Sequence, residues 1–139
     1  MEISISTSDI KAIIAEEVSI AADQAYSQDG ISLYDGVVLS SKDDALVGRL
    51  IKDAIAQLAR RESDICTYTA SAITFDIADA VATSTVITAE LNRYIALHAC
   101  ADLFQSRKAD LVPDYTRRAQ EAMDNVDSLV RTRTAPTRS

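Results

Sequence analysis

The stretch Ser84-Thr-Val-Ile-Thr-Ala-Glu-Leu-Asn-Arg-Tyr-Ile-Ala-Leu-His-Ala-Cys-Ala-Asp-Leu-Phe-Gln-Ser-Arg-Lys108 decides the fold. From Leu91 to Phe104 it has almost no purely polar face. Leu91, Ile95, Ala99 and Asp102 share one helical ridge, and Tyr94, Leu97, Ala101 and Phe104 lie on others. A helix this broadly apolar is central, with neighbours on several sides. Ser84 and Thr88 are both N-cap residue types, and Glu90 lies near that positive end. Arg107 and Lys108 stand in the last turn, where cations favour the helix dipole. The pattern predicts a helix over 86–108.

Downstream, Pro113 suits the first helical position of a further helix, or the residue just before it. Tyr115, Ala119, Ala122, Val126 and Leu129 then recur at spacings of four and three, a narrow amphipathic seam over 113–130. Arg117, Arg118, Glu121, Asp124 and Asp127 fall off the seam and are expected to face away. From Arg131 the period stops, and 131–139 reads as an extended basic tail.

Upstream, residues 65–77 alternate. Cys66, Tyr68 and Ala70 interleave with Thr67, Thr69 and Ser71; after a phase shift, Ile73, Phe75 and Ile77 interleave with Thr74 and Asp76. This is strand patterning at 72–77, with a weaker strand at 65–70, paired as a hairpin or across subunits. Residues 42–61 carry the stripe Leu46, Val47, Leu50, Ile51, Ala54, Ile55 and Leu58 behind a Ser41-Lys42-Asp43-Asp44 start that resembles a capping box. Gly48 inside that helix suggests close packing. Residues 8–26 form another helix on Ile10, Ile13, Ile14, Val18, Ala21, Ala22 and Ala25, with Thr7 or Ser8 as cap. Between these two helices, Asp29-Gly30 and Asp35-Gly36 mark turns. The loop there carries Leu33, Tyr34, Val37 and Val38, apolar residues that must pack on the protein's own core or on another subunit. The expected architecture is mainly α: a single four-helix bundle-like domain over 1–130 with a small β-strand or hairpin insertion, and an extended C-terminal tail.

Composition narrows the function. A chain of 139 residues is one domain by default. Three glycines and two prolines favour helices over a turn-rich β-sandwich. No apolar run nears the length of a membrane span, and Met1-Glu-Ile-Ser-Ile-Ser lacks a basic segment followed by an apolar one, so neither a membrane helix nor a signal peptide is expected. Cys66 and Cys100 sit in apolar surroundings and read as buried free thiols, although a disulfide between them stays open. The net charge of −7 resides in residues 1–46, with nine acids and two lysines. The last nine residues carry Arg131, Arg133 and Arg138 and no acid. An acidic front and a basic tail suit head-to-tail contact between copies, or contact with a differently charged partner; solvated surface is the plainer account.

Catalytic and metal chemistry is thin. His98 is the only histidine and lies mid-helix among Ile95, Leu97 and Phe104, where a core or groove histidine with one hydrogen bond is expected. There is no HExxH, paired CxxC, Gly-rich phosphate loop or nucleophile elbow. The pairs Glu16-Glu17 and Asp43-Asp44 are neighbours on helices and do not converge on one point. No enzymatic activity, cofactor or metal is expected. Arg49, Lys52, Arg60 and Arg61 form a modest basic cluster, but overall acidity and the lack of interleaved aromatics argue against tight nucleic-acid binding.

From residue 42 onward, about two thirds of the chain, the order of these pieces resembles the head–tail connector (adaptor) proteins of tailed bacteriophages. The resemblance rests on the helix opening Asp43-Asp44-Ala45-Leu46 and running to Arg61, and on the insertion Ile73-Thr74-Phe75-Asp76-Ile77. It continues in the helix ending Ala101-Asp102-Leu103-Phe104-Gln105-Ser106-Arg107-Lys108 and in the helix from Asp114-Tyr115 through Ala119 and Ala122 to Leu129. The last piece, Val130-Arg131-Thr132-Arg133-Thr134-Ala135-Pro136-Thr137-Arg138, is similar to the short tails that close many phage neck proteins. The front departs from the pattern: the acidic helix and apolar loop before residue 42 are longer than a minimal adaptor needs. The resemblance implies a virion protein made in the host cytoplasm. It implies a homo-oligomeric ring, typically of twelve copies, docked under the portal protein, extending the DNA channel and receiving tail or neck proteins. DNA would pass without specific binding, since an acidic lumen repels phosphates. Arg131, Arg133, Pro136 and Arg138 of the tail, with Leu33, Tyr34, Val37 and Val38 of the loop, are the candidate partner-docking residues. The competing expectation is a small helical partner-binding or regulatory protein without catalytic activity.

Overall fold

The computed structural model describes residues 2–23, 43–69, 72–75 and 84–130. In chain order these form β1 (Glu2–Ser4), α1 (Thr7–Asp23), α2 (Asp44–Arg61), β2 (Cys66–Tyr68), β3 (Ala72–Phe75), α3 (Ser84–Arg107), a 3-10 turn (Ala109–Leu111) and α4 (Val112–Val130). The chain is thus mainly α: the described residues form four helices with a small three-stranded antiparallel sheet. The expected tail at 131–139 and loop at 27–40 lie outside the described residues.

The helix α3 packs against α1, α2, α4 and β1. Its broad apolar surface is the cause. Tyr94, Ile95, Ala96 and Leu97 are consecutive and all buried, which requires neighbours on every side. The helix α4 lays the seam Tyr115, Ala119, Ala122, Met123, Val126 and Val130 along α3. Phe104 and Tyr115 meet edge-on across this contact, ring centroids 5.0 Å apart. From α2, Val47, Ile51, Ala54, Ile55, Leu58 and Ala59 are buried; from α1, Ile10, Ile14, Val18 and Ala21. Each large side chain taken fully from water contributes about 1.5–3 kcal/mol.

The sheet has the order β1-β3-β2. The predicted hairpin forms within one chain: Cys66 pairs with Phe75, Thr67 with Thr74 and Tyr68 with Ile73. Thr69 N–H donates to the Ala72 carbonyl at 2.9 Å, closing it. The third strand, β1, is an element that the sequence reading passed over. Ile3 pairs with Ile73 and Glu2 with Thr74. Its signal was present in the alternation Glu2-Ile3-Ser4-Ile5-Ser6, in which Ile3 and Ile5 are buried. Ile3, Ile73, Phe75 and Cys66 are buried together as the apolar side of the sheet.

Several local expectations change. The cap of α1 is Ser6, whose Oγ accepts from the Asp9 N–H at 3.4 Å, rather than Thr7 or Ser8. At α2 the N-cap is Asp43, and its side chain makes no cap hydrogen bond. It is drawn instead to Arg107 of α3, with Oδ1 and Oδ2 accepting at 2.7 and 3.3 Å. A two-pronged charged contact outweighs a single cap bond. Thr88 lies inside α3, which begins at Ser84, so it is no cap. Gly48 marks no close packing: a Cβ built there meets nothing within 4 Å.

Candidate assembly surface

A shallow concavity lies between the outer side of α2 and strand β2. Two adjoining hollows of about 410 and 400 Å³ are lined by Lys52, Asp53, Ala56 and Arg60 from the helix and by Thr67, Tyr68 and Thr69 from the strand. The strand order leaves the far edge of β2 without a strand partner among the described residues. Tyr68 points to the apolar side of the sheet by register, opposite Ile73, yet it is 51 % exposed. The tyrosine stands in the groove beside Ala56 of α2.

Helical spacing places Arg49, Lys52, Asp53, Ala56 and Arg60 on one face of α2, opposite the buried stripe. Arg49, Lys52 and Arg60 are exposed and make no ion pair with another described residue. The neighbouring Arg61 is committed otherwise: Nη1 reaches Asp124 Oδ1 of α4 at 2.9 Å, and Nε lies 3.7 Å from the fully buried Glu62 carboxylate. The basic cluster of the sequence therefore divides into one structural arginine and a row of three open cations beside the groove.

At the inner wall of the groove is Cys66. Burial, and after it the nearby Glu62 charge, push its thiol up to about 11. Cys100 is pushed up to about 12 by burial first and by Glu17 second. Both are free cysteines and both stay protonated at neutral pH, so neither is an activated nucleophile.

His98 lies in a second cleft, of about 240 Å³, with Gln57, Tyr94, Asp102, Thr116 and Gln120. Its Nδ1 stands 3.5 Å from Asp102 Oδ2, and its ring is tilted against Tyr94 at 5.8 Å. The expected hydrogen bond is absent: no described residue hydrogen-bonds the buried Nδ1, and the Asp102 carboxylate one helical turn on stops short of one. A third hollow of about 230 Å³ is formed by Val86, Glu90, Asn125, Ser128 and Leu129 between α3 and α4.

Charges expected to face outward from α4 are partly absorbed by packing. Arg118 lies over the Tyr115 ring, 4.9 Å from its centroid, and 3.6 Å from Glu17 Oε1 of α1. The Tyr115 hydroxyl donates to the other Glu17 oxygen. Arg117 stays at the surface, between Asp114 at 2.7 Å and the likewise exposed Glu121 at 2.8 Å.

All eight predicted docking residues, Leu33, Tyr34, Val37, Val38, Arg131, Arg133, Pro136 and Arg138, lie outside the described residues. Lys52, Arg60 and Tyr68 were not singled out as docking residues. Helical spacing could have found the first two, whereas the exposure of Tyr68 follows from strand order alone. Among the described residues no group of three or more His, Cys, Asp or Glu is placed to hold a metal ion, and no helix is long and apolar enough to cross a membrane. Comparison with family models, curated proteins and solved structures gives no match.

Proposed function

We propose that this chain is a structural virion protein, a head–tail connector that forms a ring beneath the portal, extends the DNA channel and receives tail components. The observation that carries the reading is the basic groove beside an open strand edge, a large recognition surface on a molecule whose thiols are protonated and buried. The order of helix, β-hairpin, long apolar helix and amphipathic helix matches the connector pattern in sequence. A groove on one side suits heterologous contacts, which close into a ring when the rotation between copies closes. With a net charge of −7, a ring of such chains repels DNA phosphate, so the genome slides without specific binding.

The test is light scattering and electron microscopy of the purified chain, alone and mixed with its portal. A closed ring in either sample is the expected result; a monomer in both overturns the reading. The row Arg49, Lys52 and Arg60 favours one competing account, a small regulator that grips an acidic partner. A stable dimer that retards duplex DNA at physiological salt would support that account instead.

A further inference from the structure

We propose that the α2–β2 groove is filled by the outer face of α1 from a second copy of this chain. The inference rests on the assembly reading above and names the two faces that meet.

The helix α1 buries Ile10, Ile14, Val18 and Ala21, which sets its opposite face. Asp9, Glu16 and Ile20 fall along one line there, flanked by Ala12 and the half-buried Ile13. Asp9 and Glu16 are exposed, and neither makes an ion pair with another described residue. Among the described residues Ile20 is one of three large apolar residues standing well into solvent, at 49 % exposure. This helix face is acidic, slim and partly apolar.

The groove face is its complement. Lys52 and Arg60 lie eight residues apart on α2, about 12 Å along the axis, and Asp9 and Glu16 lie seven apart, about 10–11 Å. The small difference is within the reach of long side chains. Between the two cations are Ala56 and the exposed Asp53, with Tyr68 beside them, so the groove carries two cations and one acid; between the two acids of α1 are Ala12 and Ile13. Bringing the faces together sets small residue against small residue, and both carboxylates against unpaired cations. The two helices have 17 and 18 residues, roughly 25 Å each, so the contact runs their whole length. Both faces point outward from one core, so they meet only between molecules. Because the two faces differ, the contact is head-to-tail and repeats around a ring.

Charge reversal tests the pairing. One variant carries Lys52→Glu and Arg60→Glu; a second carries Asp9→Lys and Glu16→Lys; a third carries all four. Every position is exposed, and circular dichroism checks that each variant keeps its helix content. Sedimentation velocity at low and at physiological salt reads the assembly. Each two-residue variant is expected to lose self-association by roughly tenfold or more, since like charges then face each other. Mixing the two is expected to restore assembly with the variants alternating, because the reversed groove of the first then meets the reversed α1 of the second, and the unchanged groove of the second meets the unchanged α1 of the first. The four-residue variant is expected to regain assembly. If the wild type assembles and the two-residue variants assemble equally well, this pairing is overturned and the ring reading stands. Loss of assembly without recovery in the mixture or in the four-residue variant also overturns it, and assigns the groove to a different acidic occupant. A wild type that stays monomeric at the highest soluble concentration overturns it too, and the ring then depends on the portal experiment alone.

Discussion

Tyr94 and Ala54 are forty residues apart in the chain, and a 2.7 Å hydrogen bond joins the tyrosine hydroxyl to the alanine main-chain oxygen. Both residues are fully buried. The bond ties the middle of α3 to the middle of α2 and gives the one polar atom of a buried ring its partner. Burial, and after it the Asp102 charge, hold this hydroxyl far above the usual tyrosine range, so it remains a donor at any ordinary pH.

Tyr94→Phe keeps the ring and removes the bond. The expected loss of stability is about 1 kcal/mol, the net worth of one neutral hydrogen bond. Urea unfolding should show a lower midpoint with an unchanged slope. No loss at all would mean that the Ala54 carbonyl has no need of the tyrosine.

Asp43 and Arg107 form the second long-range tie, with side chains 17 % and 19 % exposed. Asp43→Ala, Arg107→Ala and the double variant close a thermodynamic cycle. The coupling energy expected is about 1 kcal/mol, between the value for exposed pairs and that for charged hydrogen bonds. It should shrink as salt rises. A coupling of zero would return Asp43 to a purely local role at the start of α2.

Gly48 occupies the second turn of an ordinary helix with open space where a Cβ would stand. Gly48→Ala is therefore expected to raise stability by about 0.5–1 kcal/mol, through reduced freedom of the unfolded chain. A higher melting temperature checks this. A lower one would show that the site is covered in the full assembly.

Alkali should unfold the protein from a definite side. The Cys66 and Cys100 thiols are raised in the fold to about 11 and about 12, and Tyr94 and Tyr115 are raised in the same direction, chiefly by burial. A group raised in the fold holds its proton more tightly folded than unfolded. Its stabilisation is complete below the unfolded value and is lost as pH climbs through the folded one. Stability should thus fall from about pH 9 upward. A thiol reagent at pH 8 should label both cysteines in denaturant and leave them untouched in the native protein. Fast native labelling of Cys66 would show that the groove opens.

The helices were legible because each carries its own evidence. The spacing of Tyr115, Ala119, Ala122 and Val126 needs no knowledge of the partner helix to announce a buried side, and that side is buried. The run through Tyr94 and Leu97 announces burial on all sides in the same way. Alternation at Ile73 and Phe75 announces a strand with one apolar side. What stayed hidden were the destinations of polar side chains. Arg118 looked like surface and lies against Tyr115 and Glu17; Asp43 looked like an inner residue of a capping box and holds Arg107, sixty-four residues on. Local spacing says which way a side chain leaves its helix, but not what waits there.

The amino-acid order alone settled the four described helices, the central place of α3 and the presence of a β-hairpin, because hydrophobic periodicity is a property of neighbouring residues. Only the tertiary structure decided that β1 joins the hairpin, that Tyr68 stands in an open groove, and that Arg61 is spent on Asp124 while Arg49, Lys52 and Arg60 are not. Those outcomes depend on which segments meet across tens of residues. Such meetings are set by the shape of the whole core and leave no periodic trace in any one stretch.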